Sequence, residues 1–291
     1  MAKHSLPAVL VERDGHLLHA FEGVASAMGD TQAEAERLFK LLPISLRNAP
    51  AFVLRVDGRW KYQYGVPYDN LSGNTVALGA DQCPDAALLY TAVKAVESRL
   101  TNSEIVGFLD RLGIPGKHRE TLAELTPLVR CRVSARVEHE PADSGADGRT
   151  PDWLFTPGTP GRPLLIEVKH RCLDLITMFK ENVPRLNAGA RSMEPPEPQV
   201  DRLFLDTWQK FQRRDPRDVL QGAWVFCPIQ QVRAQVETYF ESVDPQLLHF
   251  ALLVNWEFQV AGLWRSKEDR EYVLSLFEIE EAGTFFRDAA T

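Results

Sequence analysis

Two short apolar runs on either side of a Gly- and Pro-rich turn constrain this chain more than any other feature. Asp152 to Phe155 and Leu164 to Val168 have the β-branched, aromatic and aliphatic content of strands, and TPGTPGRP between them supplies turn geometry and interrupts regular pairing. The stretch therefore reads as strand, turn, strand. Side chains alternate across a strand, so Glu167 and Lys169 share one face while Ile166 and Val168 point to the other. On the first strand Asp152 and Leu154 share a face, opposite Trp153 and Phe155. A register that sets Asp152 beside Glu167 brings two carboxylates and one ammonium together at one end of a sheet.

Pro151-Asp152 followed by Glu167-Val168-Lys169 resembles the PD-(D/E)xK motif of the restriction-endonuclease-like nuclease superfamily. Val137-Glu138-His139-Glu140-Pro141, running into a Gly- and Asp-rich loop, also resembles the approach to Pro-Asp in these nucleases. The resemblance implies that Asp152 and Glu167 hold Mg²⁺, with Mn²⁺ able to substitute, and that Lys169 stands beside the attacking water. It also implies that the main-chain carbonyl of Val168 is a further metal ligand. Chemistry explains the combination, because a hard divalent cation prefers oxygen ligands and keeps several waters. Such an ion lowers the pKa of a bound water and neutralises charge growing on a scissile phosphate. In the superfamily a helix before the hairpin often contributes one more acid. Glu97 is the first candidate and Glu104 the second, and Glu138 and Glu140 are open alternatives.

The whole chain is compatible with such an enzyme. Its 291 residues, 44% hydrophobic and 25% charged, are enough for one large domain or two small ones with a proper core. A net charge of -7 excludes a sequence-blind polycation, so contact with nucleic acid has to come from a local basic surface. No apolar run has the length of a membrane span and the N-terminus has no signal-type pattern, so the expected compartment is the cytoplasm. Cys83, Cys131, Cys172 and Cys227 lack zinc-ligand spacing and read as reduced, mostly buried thiols.

In chain order, Asp14-Gly15 between two apolar runs predicts a β-hairpin over 6–21, and Asp57-Gly58 predicts a second one over 51–66. A helix over 33–42 follows Thr31 as N-cap. Residues 1–80 read as a small α+β accessory domain, in which Arg59, Lys61, Tyr62 and Tyr64 mix basic and aromatic character. The expected nuclease core is 81–291. Asp85 to Leu100 carries an apolar stripe at helical spacing, and shorter helical pieces follow over 101–112 and 117–125. Leu128 to Glu140 alternates apolar and polar residues and predicts the first core strand. His139 falls on its apolar side, as a structural histidine. Residues 202–217 combine a Phe204, Trp208, Phe211 stripe with an excess of bases. In the superfamily a helix in this position meets the phosphate backbone, which makes Gln209, Lys210, Arg213 and Arg214 nucleic-acid-binding candidates. Ala223 to Ile229 reads as a buried strand, Val232 to Phe240 as a helix, Phe250 to Val260 as a strand, Lys267 to Phe277 as a helix, and 278–291 as a frayed acidic tail.

The expected fold is α/β, a mixed central sheet flanked by helices in the restriction-endonuclease-like order with an N-terminal α+β domain. The expected function is Mg²⁺-dependent nucleolytic hydrolysis of phosphodiester bonds, with internal and end cutting both open, on DNA ahead of RNA because most of the relatives cut DNA. Homodimers and larger complexes are common among such nucleases. A non-catalytic nucleic-acid-binding or assembly protein on the same fold is the alternative, and an unrelated α/β partner-binding module a third reading.

Overall fold

The computed structural model describes residues 9–56, 59–65, 85–114, 116–132, 135–142, 150–158, 161–170, 210–211, 219–227, 229–255 and 259–286. The chain divides into two compact units, 1–129 and 130–291. The sequence placed this division at 80/81. It falls later because the three helices after residue 85 share a core with the N-terminal elements.

In the first unit, β1 (Val9–His16), β2 (Pro50–Val56) and β3 (Arg59–Tyr64) form an antiparallel sheet in that order. The expected 51–66 hairpin is therefore present, but the 6–21 hairpin is not. Beyond Gly15 the chain turns into helix α1 (Leu17–Met28), because Leu17, Ala20, Phe21, Val24 and Ala25 make a buried stripe at helical spacing. Helix α2 (Gln32–Leu41) starts at Thr31, whose hydroxyl accepts the Glu34 N–H. A single turn, α3 (Ile44–Arg47), precedes β2. Asp85 caps α4 (Ala86–Arg99) by accepting the Ala87 N–H, and Phe21 packs edge-on against Tyr90 of that helix at 5.4 Å. Asp30, just after α1, accepts hydrogen bonds from Tyr90 Oη at 2.8 Å and Lys94 Nζ at 2.6 Å. Helix α5 (Asn102–Leu112) opens with a capping box between Thr101 and Glu104.

Helix α6 (His118–Arg130) runs through the residues expected to begin a strand. Leu122, Leu125 and Leu128 are buried at a spacing of three, and that stripe wins over the alternation of 128–132. Pro127 lies inside α6 and has no N–H to give to Ala123 O. The Thr126 hydroxyl supplies the missing donor at 2.6 Å.

Among the described residues the second unit is built on a seven-stranded mixed sheet in the order β10-β9-β8-β7-β6-β5-β4. Its strands are β4 (Ala135–His139), β5 (Trp153–Pro157), β6 (Leu164–His170), β7 (Leu220–Phe226), β8 (Phe250–Val254), β9 (Gln259–Trp264) and β10 (Glu280–Phe286). Strands β4, β5 and β6 are antiparallel neighbours, β6, β7 and β8 run parallel, β9 returns antiparallel, and β10 is parallel to β9. Two corrections to the sequence reading follow. Residues 250–260 form two paired strands, and the expected frayed tail contains a strand that extends the sheet.

Strands β7 and β8 are buried along their whole length, as strands covered on both faces are. One face packs Leu154, Leu165, Ala223, Val225 and Leu253 with Phe211 and with Val236 and Phe240 of α7 (Ile229–Ser242). The other face is aromatic, with Phe277 edge-on to Phe155 at 5.3 Å and to Trp224 at 5.5 Å. Gly222 lies under the Phe250 ring, where an added Cβ would come within 2.0 Å of the ring. Arg265 closes the end of α7: its guanidinium donates to the carbonyls of Phe240, Val243 and Leu248. Helix α8 (Lys267–Leu276) starts at Ser266, which accepts the Asp269 N–H. After α8 the backbone meets the first residues of the unit. Arg132 N–H donates to Leu276 O at 2.9 Å, and Glu278 N–H donates to Arg130 O at 2.7 Å.

Among the described residues no helix is long and apolar enough to cross a membrane. Cys131 and Cys227 are buried free thiols, while Cys83 and Cys172 lie outside the described residues.

Candidate active site

The register of three strands builds the site. Trp153 pairs with Ile166 across β5 and β6, so one residue further on Asp152 stands opposite Glu167. His139 pairs with Trp153 across β4 and β5, and the Glu140 N–H donates to the Asp152 carbonyl at 2.9 Å. Three acidic residues are therefore neighbours across the sheet: Glu140 just beyond β4, Asp152 just before β5, and Glu167 in the middle of β6, one position past its pairing with β5. Glu140 takes a φ of 43°, the left-handed region that a non-Gly residue adopts only when its surroundings impose it. Here the hydrogen bond to Asp152 ends the ladder and the chain leaves the sheet toward Pro141.

Asp152 reaches back to β6, where its Oδ2 accepts the Val168 N–H at 2.6 Å. Glu167 is completely buried. A carboxylate there is costly without partners. Two ammonium groups provide them: Lys169 Nζ is 2.5 Å and Lys210 Nζ 2.6 Å from Glu167 Oε1. Lys210 Nζ is also 3.8 Å from Asp152 Oδ1, so it bridges the two acids. Burial opposes the Lys210 charge, but Glu167, then Asp152 and more weakly Glu140, outweigh it and hold the ammonium above its ordinary pKa. Glu167 Oε2 is left buried with no hydrogen-bond partner among the described residues. A buried carboxylate oxygen left without a partner is expensive, and a bound cation would satisfy it.

The structure thus brings Asp152, Glu167 and Lys169 together, with the Val168 backbone between them. Of the four upstream acids, Glu140 is the one beside Asp152. Glu97 belongs to the other unit, where both carboxylate oxygens accept from Arg37, one of them at 2.7 Å. A carboxylate already held in a bidentate pair with an arginine does not have its oxygens free for a metal. Glu104 is committed to the cap of α5, and Glu138 lies 3.4 Å from Arg136. His139 is structural, as expected, packed on the Trp153 ring at 4.9 Å. Lys210 departs from the sequence expectation: it faces inward to the two acids. The sequence signals a cation at 210 but not the counter-ions that capture it. Gln209, Arg213 and Arg214 lie outside the described residues.

The donor set suits a hard divalent ion. Two carboxylates and a strand carbonyl leave coordination positions for water, which Mg²⁺ retains readily. Among the described residues no three His, Cys, Asp or Glu side chains cluster into a ligand set, so a closed all-protein cage is not what the geometry offers. The soft ligands of a structural zinc site are likewise missing from this group.

No family model and no curated protein matches the chain. Among solved structures it is similar to Pyrococcus furiosus SfsA in complex with Ca²⁺, at 14% sequence identity and a TM-score of 0.25, over 70% of this chain and 83% of that one. A superposition that loose carries no weight in the argument, which rests on the residues themselves.

Proposed function

We propose that this protein is a metal-dependent nuclease of the restriction-endonuclease-like class, hydrolysing phosphodiester bonds in nucleic acid, DNA ahead of RNA. The observation that carries the reading is the juxtaposition of Asp152 and the buried, half-satisfied Glu167 with Lys169, where the pairing of β5 with β6 stops. Asp152, Glu167 and the Val168 carbonyl would hold Mg²⁺ or Mn²⁺. That carbonyl leaves the extended strand on the same side as its N–H, which points at Asp152. Bound there, the ion acidifies an attacking water and takes up charge developing on the phosphate.

The chain's own residues do the rest. Lys169 is fixed by its place on β6 beside Glu167, where its ammonium can orient the water and stabilise the phosphorane-like charge. Asp152, itself positioned by the Val168 N–H, keeps the site geometry rigid. Trp153, Leu165 and Ile166, next to Asp152 and Glu167 on β5 and β6, are buried, and such surroundings would strengthen the electrostatic contacts beside them.

The test is cleavage of labelled single- and double-stranded DNA and RNA with Mg²⁺ or Mn²⁺, by the wild type and by Asp152→Ala and Lys169→Ala. The wild type should cut, and each variant should lose at least roughly 10²-fold in rate while retaining its circular dichroism spectrum. Activity that survives both substitutions would place the chemistry elsewhere. Nucleic-acid binding without cleavage by any form would favour a binding module on this fold.

A further inference from the structure

We propose that Lys210 is a tethered occupant of the metal position: its ammonium fills the place of the ion between Asp152 and Glu167 and has to withdraw when a divalent cation binds. This rests on the metal-dependent reading above and adds to it a device that governs metal affinity.

Lys210 Nζ is 2.6 Å from Glu167 Oε1 and 3.8 Å from Asp152 Oδ1, which puts a positive charge between the two carboxylates that would share an ion. Lys169, by contrast, meets Glu167 alone of these two acids among the described residues. The two lysines are not equivalent in the fold either. Lys169 is built into β6 two positions from Glu167, and its backbone is held by the ladder with β7. Lys210 is carried next to Phe211, which is anchored in the core, and its ammonium sits on a flexible four-carbon stem that can swing away.

Charge then decides which state is stable. Among the described residues Asp152, Glu167 and the more exposed Glu140 carry three negative charges here and Lys169 and Lys210 two positive ones, so the lysines already offset most of the negative charge without a metal. A divalent ion entering beside both lysines would leave a net excess of positive charge in a poorly screened place. Withdrawal of Lys210 removes one of those charges and opens the shared oxygens, while Glu167 Oε2, without a partner among the described residues, is already free to accept the ion. Metal binding is therefore an exchange of one cation for another, and its affinity is reduced by the strength of the lysine contacts it breaks. The released ammonium then stands at the rim of the site.

Two measurements on the intact protein test this. Isothermal titration with Mn²⁺ should show Lys210→Met binding about tenfold more tightly than the wild type, the expected sign when a competitor is removed. Glu167→Gln should bind far more weakly than either. In the wild type, amine acetylation followed by mass spectrometry should find Lys210 protected without metal and labelled at least about fivefold faster at saturating Mn²⁺, with the exposed Lys267 as an unchanging reference. The labelling arm needs no substitution and decides the matter if Lys210→Met does not fold. Unchanged or weaker Mn²⁺ binding by Lys210→Met, or Lys210 still protected at saturation, would overturn the exchange while leaving the metal site standing, provided that Glu167→Gln abolishes binding. Absence of Mn²⁺ binding in both wild type and Lys210→Met would overturn the exchange and the metal-dependent reading together.

Discussion

His118 offers a quantitative test of the first unit's packing. Its side chain is buried, with Nδ1 2.7 Å from the Leu112 carbonyl and Nε2 2.6 Å from Tyr64 Oη. A carbonyl can only accept, so Nδ1 carries the proton and Nε2 accepts from the Tyr64 hydroxyl. The pair is thus satisfied with a neutral imidazole. Burial, aided by the charge of Arg119 and only partly opposed by the Leu112 hydrogen bond, pushes the pKa down to about 4 from 6.5. Because the folded state binds the proton less readily than the unfolded state, the stabilisation is fully present above about pH 6.5. It is lost as pH falls from there to about 4. Each pH unit in that window costs about 1.4 kcal/mol, so moving from pH 8 to pH 5 should remove about 2 kcal/mol through this one group. Urea unfolding of the wild type and of His118→Gln at both pH values isolates the effect, since the variant lacks the titrating ring and all other groups are shared. The expected difference in pH dependence is about 2 kcal/mol, larger in the wild type. Equal pH dependence in the two proteins, to within about 0.5 kcal/mol, would refute the assignment of a buried neutral imidazole.

Three substitutions test other parts of the fold by the same unfolding assay. Gly222→Ala should cost about 1–3 kcal/mol, because the new methyl meets the Phe250 ring in the middle of the sheet; a change under about 0.5 kcal/mol would mean that the ring moves freely. Arg265→Met keeps an apolar stem of similar length but removes both the guanidinium stacked on the Phe240 ring and the donor to the carbonyls of Phe240, Val243 and Leu248. A loss of about 2–3 kcal/mol is expected, visible also as faster hydrogen exchange at the end of α7. Thr126→Val removes the hydroxyl that replaces the proline's missing N–H, and should cost about 1 kcal/mol in the wild-type background but much less when Pro127→Ala restores the backbone donor.

The juxtaposition of Asp152, Glu167 and Lys169 was legible because its information is local. Period-two alternation and a short turn set Asp152 and Glu167 on one face, and the pairing of Trp153 with Ile166 completes that arrangement. The helix capped by Thr31 and the apolar stripe of the helix that follows Asp85 were equally legible. The misreadings came where two signals compete over the same residues. Asp14-Gly15 has the composition of a hairpin turn, yet Leu17, Phe21 and Val24 bury more apolar surface as a helix face. Residues 128–132 alternate, but Leu122, Leu125 and Leu128 continue a helix into them. The strand in the acidic tail and the inward turn of Lys210 depend on partners remote in sequence: β9 for the first, Asp152 and Glu167 for the second. No local pattern records such pairings. Choosing among the upstream acids needed the strand register too, since only that sets Glu140 beside Asp152.

The backbone bonds that join Arg130 and Arg132 to Glu278 and Leu276 carry a consequence for how the second unit comes apart. They tie the segment leading into one edge strand, β4, to the segment leading into the other, β10. Neither edge can peel away without releasing its counterpart, so loosening at the two margins is coupled and the unit should melt as a single cooperative block. Amide exchange at 132 and 278 would then follow the rate of the central strands, unlike the gradual fraying from the outside inward that an open sheet normally shows.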